Sequence, residues 1–230
     1  MSVMNVFLII FALVSVVHVT AIFIRKGKLR RISKIFIVPP LLAAYIAGQG
    51  QPFIFVILAL LFGWLGDALL LRINEKAYFQ LGLASFLLGH VCYIVAFIEC
   101  LGFFEPGGAG RIDNMAMAVF LPIAIIIGVM DFRFIKPPQE MIFPVVLYMI
   151  AIEVMAFWGL EIFILNPGFA GMLIFSGALC FMISDTMLAY YTFRKLTIPG
   201  AVLIMVLYIL AQAGIIIGLL LLKTAGIPLT

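Results

Sequence analysis

"FIFVILALLFGWLGDALLLR", residues 53–72, decides how this chain folds. Its twenty residues hold one carboxylate, Asp67, and one guanidinium at the very end, Arg72. A helix rises about 1.5 Å per residue, so about 20 apolar residues cross the roughly 30 Å hydrocarbon core of a bilayer. The rest of the sequence repeats the pattern. It is 66% hydrophobic and 10% charged, against about 25% charged in ordinary soluble domains. A soluble fold of 230 residues has no interior large enough for so much apolar surface, so the membrane must serve as its solvent.

Outward from this stretch, charges punctuate the chain and leave eight predicted spans: 4–24, 33–48, 53–72, 78–101, 113–130, 140–160, 168–192 and 199–222. The expected fold is all-α, a polytopic transmembrane bundle of eight helices forming a single integral-membrane domain over residues 1–230. Pro39-Pro40 should kink or break the second span. The N-terminus lacks a basic region before its apolar run and reads as a retained first span. Cys92, Cys100 and Cys180 lie in apolar runs without CxxC spacing, so they read as packing thiols.

Lys and Arg set the orientation. Arg25, Lys26, Lys28, Arg30, Arg31 and Lys34 follow the first span; Arg72 and Lys76 follow the third. Arg133 and Lys136 follow the fifth; Arg194 and Lys195 follow the seventh. These are twelve of the fourteen basic residues, and only Arg111 and Lys223 fall on the other side. The expectation is a multi-pass protein of a plasma membrane, bacterial inner-membrane type, with both termini outside. The basic surplus answers to topology and anionic headgroups, and nucleic acid is not an expected partner.

A charge at bilayer depth costs at least a few kcal/mol and normally faces the bundle interior. Asp67 lies about 7 Å by helical rise from Arg72, a candidate ion partner. Asp185 lies about 13 Å from Arg194. "GDALL" (66–70) matches "SDTML" (184–188) in pattern, and both Asp67–His90 and Asp185–Tyr208 are 23 residues apart. Two four-helix halves in parallel orientation, facing one central cavity, would produce this; so would two hairpins of equal length.

On the fourth span Leu83, Phe86, His90, Tyr93 and Phe97 share a face. His90 reads either as a hydrogen-bonded structural residue or, with Tyr93 a turn away, as part of a cavity wall. Tyr208 and Gln212 are i, i+4 neighbours on the eighth span, fit for helix–helix hydrogen bonding or for substrate contact. Ser184 either orients Asp185 or packs. Glu153 reads as a packing residue.

The ordered set Gly66-Asp67, His90-x-x-Tyr93, Ser184-Asp185 and Tyr208-x-x-Ala211-Gln212 resembles the lysoplasmalogenase (YhhN-like) family of integral membrane proteins, over essentially the whole chain. Gly63 departs from the family pattern, which often has Ser one turn before the first Asp. The resemblance implies hydrolysis of the vinyl ether bond of lysoplasmalogens to a fatty aldehyde and a glycerophosphoethanolamine or glycerophosphocholine. The lysophospholipid would be the substrate partner, alongside membrane lipids.

Two buried carboxyls suit that chemistry. Protonation of the outer alkene carbon gives an oxocarbenium ion, water captures it as a hemiacetal, and the hemiacetal collapses to aldehyde. Glycoside hydrolysis passes through a similar cation and uses one protonated and one ionised carboxyl. Asp67 and Asp185 are the expected catalytic pair, meeting across the bundle, with the acid and the base unassigned. His90, Tyr93, Ser184, Tyr208 and Gln212 are the expected substrate contacts. No cofactor and no metal are expected, since His18 and His90 are the only histidines, too few for a zinc hydrolase. Ser85 and His90 face different directions, which argues against a serine protease. A proton-coupled transporter is the alternative, because membrane aspartates also build proton relays. A structural scaffold would tolerate Asp→Asn at both sites.

Overall fold

The computed structural model describes residues 1–73, 75–103, 112–192 and 197–224, the last two as backbone. Arg111, Arg194, Lys195 and the side chain of Lys223 lie outside the described residues. The elements are helices: α1 (Val3–Phe23), α2 (Gly27–Ile35), α3 (Val38–Gly48), α4 (Ile54–Leu69), α5 (Lys76–Cys100), α6 (Asn114–Ile135), α7 (Ile142–Leu165), α8 (Phe169–Thr192) and α9 (Ile198–Thr224). A 3₁₀ turn, Leu70–Arg72, continues α4, and another, Gln139–Met141, precedes α7. With α2 and α3 counted together, eight segments among the described residues are long and apolar enough to cross a membrane.

Four boundaries differ from expectation. Residues 27–35, expected mostly as loop, form α2. Lys and Arg are good helix formers, and the long stems of a basic helix lie readily at a membrane surface. The second span breaks at Phe36-Ile37, ahead of the prolines. Pro39 and Pro40 occupy the first turn of α3, where their missing N–H groups have no helical acceptor to lose. The fifth and sixth spans also run farther than expected, to Ile135 and Leu165. Pro122 inside α6 does not end that helix.

Glycines set the closest approaches. A Cβ on Gly177 would lie 2.9 Å from the Ala211 carbonyl and one on Gly214 2.9 Å from that of Leu173, so α8 and α9 touch backbone to backbone. Gly66 and Gly89 do similar service between α4 and α5, against the Phe86 ring and the Ala59 carbonyl. α7 sits between α5 and α8, α1 covers α3 and α9, and α6 packs on the outside against α7 and α8. Ala124 and Ile135 are the buried residues of α6. Leu13, Leu61, Val119, Phe143 and Leu203 are exposed, the lipid-facing surface a membrane bundle requires. The interior holds Asp67, His90, Tyr93, Ser184, Asp185, Tyr208 and Gln212.

Candidate functional site

Six of the seven residues singled out in the sequence fall into two hydrogen-bonded networks. In the first, Tyr208 on α9 donates to Asp67 Oδ2 on α4 at 2.7 Å. Gln212, one turn along α9, donates from Nε2 to the Tyr208 oxygen at 3.3 Å. Tyr93 on α5 donates to Gln212 Oε1 at 2.7 Å. The cation of this network is Lys34: its Nζ lies 3.2 Å from Asp67 Oδ1. The expected partner, Arg72, instead donates to the Tyr78 hydroxyl at 2.8 Å and stacks over that ring. Asp67 sits in the last full turn of α4 facing inward, whereas Arg72 follows in the tighter 3₁₀ turn and points to the surface.

In the second network, His90 Nε2 on α5 lies 3.2 Å from Asp185 Oδ2 on α8 and 2.9 Å from the Tyr148 hydroxyl on α7. Tyr148 donates a short hydrogen bond to the same Asp185 oxygen. His90 Nδ1 is buried without a hydrogen-bond partner. No hydrogen bond joins Asp67 to Asp185 among the described residues; aromatic rings stand between the networks. Phe181 meets His90 edge-on at 4.8 Å and Tyr208 edge-on at 5.5 Å.

The pairing is reciprocal. Asp67 on α4 takes its phenol from α9, and Asp185 on α8 takes its imidazole from α5. These are the positions 23 residues beyond each aspartate, exchanged between the halves. Ser184 stands apart from both networks. Its hydroxyl donates to the Ile204 carbonyl at 3.0 Å and ties α8 to α9. At Gly63 a Cβ would lie 3.2 Å from Gln212 Nε2 and 3.7 Å from the Tyr208 oxygen, so a larger residue there would press on the groups that hold Asp67.

The two aspartates differ in access. Asp67 is 2% exposed and closed in by its partners. Asp185, at 9%, opens on a narrow apolar cavity of about 40 Å³. Leu83, Phe86, Ile152 and Leu188 line it, and Asp185, Tyr148 and Thr186 supply its polar groups.

Lys34 and Tyr148 were not among the candidates read from sequence. Lys34 counted only as one of six loop charges. Tyr148 is one aromatic ring in an apolar helix, and its meaning depends on His90, 58 residues away. Glu153, read as packing, is half-buried where α6 meets α7, its Oε1 3.1 Å from the position a Cβ on Gly128 would take. Among the described residues no three His, Cys, Asp or Glu side chains converge as a metal would require.

Eight helices long and apolar enough to cross a bilayer, packed around a polar centre that holds two carboxyls, define the class of multi-pass membrane proteins. A family model matches residues 29–219, and the chain belongs to the YhhN family, the lysoplasmalogenase-like family. Comparison with curated proteins and with solved structures gives no match.

Proposed function

We propose that this protein is a membrane hydrolase that cleaves the vinyl ether bond of lysoplasmalogens, releasing a fatty aldehyde and a glycerophosphoethanolamine or glycerophosphocholine. Family membership supports the substrate class. The observation that carries the chemistry is a carboxyl, Asp185, opening beside a phenol on an apolar cavity.

The asymmetry of the networks supports a division of roles. Asp67, ion-paired with Lys34, is the ionised carboxylate. Asp185 has no lysine or arginine partner among the described residues and is the acid. Its proton goes to the outer alkene carbon, and the electron pair of the double bond takes it up. The ether oxygen shares the resulting positive charge, which the negative field of Asp67 stabilises through space. Water adds to the cationic carbon and returns a proton to Asp185 by way of Tyr148 and His90. Collapse of the hemiacetal breaks the carbon–oxygen bond and frees the aldehyde and the glycerol hydroxyl. Neither metal nor cofactor takes part in these steps.

The test compares turnover of a lysoplasmalogen with that of an ester lysophospholipid by the purified protein. The vinyl ether alone should be cleaved. Asp67→Asn and Asp185→Asn should each abolish turnover in a folded protein, and the double variant should be hardly worse than either single one, as for groups acting as a unit. A folded single variant that keeps most of its activity would sink the mechanism. A proton-coupled transporter is the second reading, favoured by the hydrogen-bonded run from Lys34 through Asp67, Tyr208 and Gln212 to Tyr93. Solute uptake driven by a pH gradient, with no turnover of lysoplasmalogen, would establish it instead.

A further inference from the structure

The basic end of the bundle is less uniform than its composition implies. Lys34 is committed to Asp67, Arg72 to Tyr78, and Lys76 to Glu140 at 2.7 Å. Arg133 and Lys136, at the end of α6, make no ion pair with a described carboxylate. Both line one open basin with Phe132, Pro137 and Ile142. Lys136 closes α6 in the left-handed conformation, φ 48°, which turns the chain at the mouth of that basin.

The basin continues inward. Phe132 and Arg133 also line a groove between α6 and α7 that reaches Met149. Met149 lines the cavity on which Tyr148 and Asp185 open. Shared lining residues thus place the basin, the groove and the cavity next to one another, from two cations without an ion pair among the described residues to the proposed acid. Asp185 lies seven residues before the end of α8, so about 10 Å of helical rise separates it from the basic surface. A glycerol phosphodiester has that reach. A guanidinium grips phosphate through two parallel hydrogen bonds, and an ammonium adds a point charge.

We propose that Arg133 and Lys136 form the phosphate-binding end of a lysophospholipid site that runs between α6 and α7 to Asp185. The site rests on the proposed function for the reaction at its inner end, and on the two cations alone for its phosphate. The chain of the lipid fills the apolar cavity, and its headgroup stays at the basic surface.

The test uses purified protein in micelles and a radiolabelled lysophospholipid whose chain is joined by a saturated ether, which the reaction cannot cleave. The matching alkylglycerol, which lacks the phosphate, is the second probe. Arg133→Gln/Lys136→Gln should bind the lysophospholipid about tenfold or more weaker and the alkylglycerol unchanged. Arg133→Lys/Lys136→Arg should retain most of the affinity. Arg30→Gln/Arg31→Gln, an equal charge change on α2, should have no effect, and excess inorganic phosphate should not displace the lipid. Unchanged affinity in Arg133→Gln/Lys136→Gln overturns the proposal. So does equal weakening in the α2 control, equal loss of alkylglycerol binding, or displacement by inorganic phosphate alone. The expected binding pattern without turnover of lysoplasmalogen upholds this site and removes the vinyl ether reading. Turnover with unchanged binding does the reverse.

Discussion

Replacing Lys34 with methionine tests how Asp67 is held in the membrane. Lys34 Nζ stands 3.2 Å from Asp67 Oδ1, with the lysine side chain 16% exposed and the aspartate side chain 3%. Methionine keeps most of the apolar stem and removes the ammonium. Asp67 then retains one hydrogen bond, from Tyr208, and no cation among the described residues. Taking one partner from a buried ion pair costs about 3–5 kcal/mol. Lys34 keeps some contact with the surface, where water offsets part of the loss, so the expected cost is at the lower end, about 3 kcal/mol. Lys34→Met/Asp67→Asn should recover most of it, because replacing both charges of a buried pair is often near neutral. The coupling between the two changes should then be about 2 kcal/mol. Equilibrium unfolding in mixed micelles, titrated with a denaturing detergent and followed by helical circular dichroism, measures this. Trp64 supplies a local reading, since its indole N–H donates to the Ile35 carbonyl at the end of α2, 2.9 Å away. A Lys34→Met protein with the wild-type midpoint, or a double variant as unstable as the sum of its singles, would refute the reasoning.

Cysteines placed at Gly27 and Gly168, where an added Cβ meets nothing within 4 Å, should be labelled from opposite sides of the membrane in a background lacking Cys92, Cys100 and Cys180; labelling from one side would end the eight-span topology. Gly177→Val forces a side chain to within 2.9 Å of the Ala211 carbonyl and the Ile215 amide, and should cost about 1–3 kcal/mol by the same unfolding assay, while Gly27→Ala leaves the midpoint in place. Turnover of lysoplasmalogen should be unaffected by EDTA; inhibition reversed by zinc would move the chemistry to a metal site.

The spans were legible because a membrane protein writes its topology in composition. Apolar runs of bilayer length separated by basic clusters leave few alternatives, and α4, α5, α8 and α9 lie close to where those runs place them. Asp67 and Asp185 were legible because a carboxylate is conspicuous among Leu and Phe. Tyr208 and Gln212 were legible because they sit one turn apart on one face. Lys34 was hidden because a run of six basic residues does not say which one turns inward. That depends on α2 lying along the bundle, fixed by Ser33, which meets His18 at 2.9 Å, and by the Trp64 contact to Ile35. Tyr148 was hidden because nothing in α7 marks it out; Glu153 is the more visible polar group in that helix. Asp67 and Asp185 were expected to meet across the bundle as one acid–base pair; among the described residues no hydrogen bond joins them, and the Phe181 ring touches both His90 and Tyr208.

The exchange of partners between halves also fixes an order of events in the making of the protein. Asp67 enters the membrane long before Tyr208 is synthesised, since 141 residues separate them. Lys34 precedes it in the chain, so the ammonium is at hand when the carboxylate arrives. A nascent chain that ends before α9 therefore carries Asp67 neutralised but without its phenol. Asp185 emerges after both His90 and Tyr148, so its network is ready as soon as α8 inserts. α9, which leaves the ribosome after α8, completes the older carboxylate's surroundings rather than the younger one's. Truncation before α9 thus produces a protein with one finished network and one unfinished.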